Sequence, residues 1–278
     1  MKYCLKWTNL CKHLKDADEI TIKYIEDRGL VDFLQKYADK RINLSIQTDN
    51  FPETEINKLA AIHKQYPELN FAVALDKYNK VLIDRFFGLG IDFYISEPCQ
   101  DWETFWQLIM NDCVSDINLS GALAFELPKV KRCLEKVNSK TRIRLTPNII
   151  QSQTAYVHPL QNFFIRPEDI DLYEPYVDVI EFEGLEHQDT FYNIYAKQKL
   201  FIGNLNQVIY NLKYSVDNIG LTKLFTERRI SCGRECLNGG RCTRCFSMAS
   251  IAEKMAPEMR EKIKENLKKQ LEEKSSEK

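Results

Sequence analysis

Short runs in which apolar and polar residues alternate recur along most of the chain, separated by longer stretches with helical spacing. The alternating runs predict strands at Lys2–Trp7, Glu19–Tyr24, Ile42–Thr48, Asn70–Asp76, Ile91–Ser96, Asp116–Ser120, Arg142–Pro147 and Val177–Glu183, with a ninth candidate at Lys199–Gly203. Amphipathic spacing predicts helices at Arg28–Lys40, Pro52–Tyr66, Tyr78–Leu89, Trp102–Asn111 and Leu127–Val137. Pro52 suits a first helical turn, and Gly88 and Gly90 suit a helix end. Strands that alternate with helices form βα units with parallel pairing, and eight such units in about 200 residues predict an α/β fold, the (β/α)8 TIM-like barrel. A ring of eight leaves one run over. Either Lys2–Trp7 or Lys199–Gly203 lies outside the ring, or the latter is a short addition.

Parallel strands covered by helices on one side and a lumen on the other usually read as apolar on both faces. These do not. Ile42, Leu44 and Ile46 interleave with Asn43, Ser45 and Gln47, and Ile91, Phe93 and Ile95 with Asp92, Tyr94 and Ser96. The apolar parity must meet the apolar stripes of the helices, so the other parity points inward. The predicted lumen therefore holds Lys6, Lys23, Asn43, Gln47, Asp76, Asp92, Asp116, Arg142, Arg144, Glu181 and Glu183. Buried charge is costly unless it is paired, hydrated or used. Two outcomes follow: a lumen that satisfies itself through ion pairs, or a polar cavity that opens at the carboxyl ends of the strands.

Composition narrows the classes. Lys and Arg number 39 against 40 Asp and Glu in 278 residues, so no overall basicity argues for extended nucleic-acid contact. No apolar run approaches the roughly 20 residues that span a bilayer, so no membrane partner is expected. The opening MKYCLKWTNL has no long apolar stretch of a secretory signal, and a cytoplasmic location is the expectation. After Gly220 the strand–helix alternation stops. The predicted organisation is a barrel over 1–220, a Cys-rich segment over 221–246 and a helix with tail over 247–278. In that helix Ile251, Met255, Met259, Ile263, Leu267 and Leu271 recur every four residues, a surface suited to a protein partner or self-association, and the closing SSEK is expected to leave the helix.

Cys232, Cys236, Cys242 and Cys245 fall within the segment SCGRECLNGGRCTRCF, while the other five cysteines are scattered. Four close thiols with Gly233, Gly239 and Gly240 between them suit tetrahedral thiolate ligation of a zinc ion or an iron–sulfur cluster. The spacing suits either. Arg234, Arg241 and Arg244 would offset thiolate charge in both cases, and Lys223–Arg244 is the one basic region of the chain.

At the predicted carboxyl ends, Glu181 and Glu183 share a strand face, so their carboxylates can stand roughly 6–7 Å apart and serve as an acid–base pair. Arg144 or Lys23 would otherwise neutralise them. Arg142 and Arg144 offer bidentate grips for an anion, and Asp76 adds a further carboxylate at a strand end. Lys6 or Lys23 would form a Schiff base only with a lowered pKa. Cys99, after a strand end, is a nucleophile candidate or a free structural thiol. The four histidines form neither HxH nor HExxH, and no GxGxxG, GxxxxGK[ST] or GxSxG occurs, which argues against histidine-ligated metallohydrolase, dinucleotide, P-loop and nucleophile-elbow chemistry.

The stretch FFIRPEDIDLYEPYVDVIEFEG, Phe163–Gly184, resembles the segment of U32-type peptidase-like proteins in which a DL-containing helix leads into a strand ending in KIEG. SCGRECLNGGRCTRCF is similar to that family's Gly/Arg-flanked cysteines, although here the cysteines follow the EFEG strand and are more tightly spaced. By position, Glu183 and Gly184 carry the motif's Glu and Gly. The resemblance implies a (β/α) barrel and a metal-cluster enzyme of RNA-base or small-molecule modification, with a small polar or RNA-derived substrate. Two expectations stand: such an enzyme, or a non-catalytic barrel with structural zinc whose terminal helix binds a partner protein.

Overall fold

The computed structural model describes residues 1–7, 14–24, 29–120, 123–146, 164–182, 192–197, 201–207, 217–221, 223–230, 232, 244, 247–248 and 257–276. Eight strands, β1 (Lys2–Lys6), β2 (Glu19–Lys23), β3 (Arg41–Ile46), β4 (Phe71–Leu75), β5 (Phe93–Cys99), β6 (Asp116–Leu119), β7 (Arg142–Leu145) and β8 (Val179–Phe182), close into a ring in chain order. All eight pairings are parallel, and β1 closes the ring by pairing with both β2 and β8. The fold is an α/β barrel of the (β/α)8 type.

The ninth candidate run forms no strand among the described residues. Its described part, Phe201–Gly203, lies outside the sheet, and the next residue, Asn204, makes an isolated antiparallel bridge to Asp217. The ring leaves no edge for it: β1 pairs with both β2 and β8, so the eight strands already satisfy one another all the way round.

Five helices cover the ring: α1 (Leu30–Lys36), α2 (Glu53–Gln65), α3 (Lys80–Gly88), α4 (Trp102–Asn111) and α5 (Leu127–Val137). Asn79 and Asp101 cap α3 and α4 by accepting from the amides of Leu82 and Thr104, at 3.3 and 2.8 Å. Pro52 is the residue before α2 rather than part of its first turn. Gly90 takes φ 70°, the left-handed conformation that lets the chain reverse from α3 into β5. Between β1 and β2 no helix occurs among the described residues, and between β7 and β8 the described residues form a 3-10 stretch at Pro167–Leu172.

The odd–even sorting holds around the ring. Ile20, Leu44, Val73, Phe93, Ile117, Ile143 and Ile180 join one continuous core with Leu34, Leu59, Phe86, Leu108 and Leu134 of the helices. Each such side chain stabilises the fold by about 1.5–3 kcal/mol relative to exposure. The helix Lys223–Ile230 packs on Pro167–Leu172 and on the Leu123–Phe125 turn. There Thr226 Oγ1 donates to Asp169 at 2.5 Å, and the Arg229 guanidinium lies 4.4 Å from the Phe164 ring centre. The terminal helix, Pro257–Ser276, lies against Asn218–Gly220. It includes Ser275 and Ser276, which the sequence had placed off the helix; with no Gly or Pro after Pro257, nothing stops it earlier.

Candidate active site in the barrel lumen

Inward parity puts Glu19 on β2, Arg41 and Asn43 on β3, Tyr94 on β5, Asp116 on β6, Arg142 and Arg144 on β7, and Glu181 on β8 into one lumen. Register brings them level: Asp116 lies beside Arg142, and Cys4 lies between Glu19 and Glu181. Arg144 is the centre and is wholly inaccessible to solvent. Its Nη1 donates to Glu181 Oε2 at 2.9 Å, and its Nη2 donates to Glu19 Oε2 and Asp116 Oδ2, both at 2.8 Å. Its guanidinium also faces the Tyr94 ring at 4.8 Å. Arg142 grips Asp116 in a fork, Nε to Oδ1 at 2.9 Å and Nη2 to Oδ2 at 2.7 Å, and reaches Glu19 with Nη1 at 2.5 Å. Arg41 Nη2 lies 3.4 Å from Asp116, and Asn43 Nδ2 donates to Glu19 at 3.3 Å.

Three guanidinium groups thus meet three carboxylates, and the electrostatics follow from that balance. Burial pushes Glu19 and Asp116 up, but Arg144 foremost, with Arg142 on both and Arg41 on Asp116, outweighs it, so both carboxyls stay below their ordinary range and ionised. Burial with the added charge of Glu181 pushes the Cys4 thiol up to about 12 against the opposing pull of Arg144, which leaves it protonated. Burial likewise keeps the Tyr94 phenol neutral.

The carboxyl-end mouth is different. Lys23 is exposed at the end of β2, and Asp76 is exposed just past β4. Thr48 donates to Asp76 Oδ1 through both its amide and its hydroxyl, each at 2.9 Å. Partial burial alone would raise this carboxyl; the Thr48 bonds outweigh it and hold Asp76 below the usual range. A cavity of about 270 Å³ lies beside the end of β5, next to Glu97, Cys99 and Thr104. Burial pushes the Cys99 thiol up to about 12, so it fits the structural reading rather than that of a nucleophile.

Of the residues singled out from sequence, Arg144 and Glu181 are in direct contact, while Lys23 and Asp76 stand on separate strand ends. Arg144 is not the anion handle the sequence suggested: its terminal nitrogens are spent on three carboxylates, and no part of it reaches solvent. Glu183, and with it the proposed carboxylate pair, lies outside the described residues, as do Cys236, Cys242 and Cys245. Cys232 is described: a half-buried thiol just past the Lys223–Ile230 helix, in no disulfide with another described residue. Among the described residues no group of three or more His, Cys, Asp or Glu is placed to hold a metal ion. Sequence reasoning missed Glu19 and Arg41. Both carry the inward parity of their strands, two residues before Thr21 and Asn43, and Arg41 was lost because the third strand was begun one residue late.

Compared with known proteins, the chain matches no family model and no curated protein.

Proposed function

We propose that the chain is a barrel enzyme that binds a small polar substrate, a nucleobase or RNA-derived molecule by the U32-type resemblance, at the carboxyl-end mouth. Cys232, Cys236, Cys242 and Cys245 hold a zinc ion or an iron–sulfur cluster in this reading. The observation that supports it is the lumen itself. Barrel interiors are ordinarily filled by branched apolar layers, and buried ion pairs add little or nothing to stability over such packing. A six-member charged cluster in their place is therefore best explained by what it orients. Among its carboxylates Glu19 and Asp116 have fully enclosed side chains, while that of Glu181 keeps 9% exposure. Arg144 is a positioning residue that fixes the Glu181 carboxylate, a rigid acceptor or general base for a polar substrate. Lys23 and the ionised Asp76 add charge of both signs at the rim. When bound, the metal group would supply Lewis-acid or electron-transfer chemistry, and the thiols' part is to hold it.

Metal analysis with an absorption spectrum on anaerobically purified protein tests the metal assignment. Brown charge-transfer absorbance, lost on Cys→Ser at each of the four positions, is the result expected for a cluster, and stoichiometric colourless metal is that expected for zinc. Full metal in all four variants removes the assignment. A thermal-shift screen of nucleobases and nucleosides tests the mouth: a compound should raise Tm in the wild type and not in Glu181→Gln. The four-residue apolar spacing of the terminal helix, on which Met259 is 58% accessible, supports a second reading, a zinc-stabilised barrel that docks a protein. Colourless zinc protein with no hit in the screen supports that reading instead.

A further inference from the structure

At the amino ends of the strands, opposite the proposed mouth, lies a cavity of about 600 Å³. It is walled by the turns that lead into β5, β6 and β7, and barrel catalysis at the carboxyl ends gives it no role. Its volume falls within the range of small-molecule sites.

We propose that this cavity binds a small organic anion, a carboxylate or phosphate monoester on an apolar body. Its titratable walls are Arg41, Lys140, Arg142, Asp92 and Cys113. The two arginines belong to the lumen cluster, whose ion pairs are oriented. Their carboxylate partners Glu19 and Asp116 have no side-chain exposure, whereas Arg142 keeps 21% and Arg41 10%. The cluster is neutral in sum, yet it turns donors, not acceptors, toward the cavity. Arg41 Nη2 donates to Ser115 Oγ and lies 3.4 Å from Asp116, and its buried Nε has no hydrogen-bond partner. Lys140 is exposed at the rim and adds a third cation. Asp92, 59% exposed, touches Arg41 at a loose 3.7 Å, where an incoming anion would compete with it. The carboxyl ends of α3 and α5 also face this end and oppose an anion through their dipoles. That opposition is blunted, because the amides of Leu89, Gly90 and Asn138 already donate to the carbonyls of Arg85, Phe87 and Leu134. Phe87, 61% exposed, supplies the apolar wall.

Cys113 makes the site readable. It is a free, exposed thiol that lines the cavity, held at φ 50° in the left-handed region that residues with side chains rarely adopt. Phenyl phosphate and benzoate, with benzyl alcohol as the uncharged control, are the probes, followed by calorimetry and by peptide-resolved alkylation of Cys113. The expected result is saturable binding of the two anions that slows Cys113 alkylation, with no protection by the alcohol. Lys140→Glu should weaken binding about tenfold and Phe87→Ala about threefold, while Asp92→Asn should tighten it about threefold. All three positions are exposed, so the variants keep the fold. No heat at millimolar probe, heat without Cys113 protection, equal protection by the alcohol, or unchanged affinity in the three variants would each overturn the proposal.

Discussion

The two ends of the lumen are built from the same alternating pattern and behave oppositely. At the amino end the inward residues are long, charged and mutually bound, so that Glu19, Asp116, Arg142 and Arg144 fix one another at 2.5–2.9 Å. At the carboxyl end Lys23 and Asp76 stand apart and exposed, with Asp76 held by Thr48 and by the adjacent Lys77 rather than by a charge from another strand's lumen face. Polarity of an inward residue therefore does not by itself mark a working group. Enclosure does: a charge shut in among its partners is scaffold, and one that keeps an open side is a candidate for chemistry. Glu181 sits on the boundary, anchored below by Arg144 and partly open.

The sharpest way to break this contrast is Arg144→Met. It leaves three buried carboxylates short of their shared partner and is expected to cost about 3–5 kcal/mol in urea unfolding. A loss below that of an ordinary surface substitution would make the cluster dispensable. The cluster should also govern acid stability. Glu19 and Asp116 have folded pKa values below their unfolded ones, so the stability they contribute is complete above the unfolded value of about 4 and is lost as pH falls through the folded one. The gap between the wild type and Arg144→Met should be widest above about pH 5 and narrow below about pH 4; a constant gap across that range would contradict the assignment. Thr48→Val removes one of the two bonds to Asp76 and should cost about 1 kcal/mol while raising the Asp76 pKa, readable by NMR titration. Smallest of all, Lys23→Gln should change stability by no more than about 0.5 kcal/mol, and a larger loss would place Lys23 with the scaffold.

The ring and the inward or outward sense of most strand positions were legible in sequence, because parity is a local property and the helices demand an apolar face. Which of nine runs stayed out of the ring was not, and Asp92 and Gln47, placed in the lumen by parity, lie exposed beyond the strand ends. Ile143 and Leu145 could be sorted from Arg142 and Arg144 without any knowledge of the fold. Partnership could not. Glu19 and Arg144 are 125 residues apart, and which carboxylate meets which guanidinium depends on strand register and tilt, to which alternation is blind. The same limit hid the cavity at the amino end, whose walls come from strand starts, a helix end and turns that share no period. It also made Arg144 look like a substrate handle, since exposure is set by neighbours from five other strands.

Closure by the first strand has a consequence for synthesis. β1 leaves the ribosome well before β8, its second neighbour, which ends at Phe182. At roughly 5–20 residues per second, translation separates them by on the order of ten seconds. Throughout that interval the nascent sheet has two raw edges, and Glu19 waits for arginines not yet made. Ribosome-held fragments that end before Arg142 are expected to bind chaperones and resist native-like protection, and release from them should coincide with emergence of the last strand.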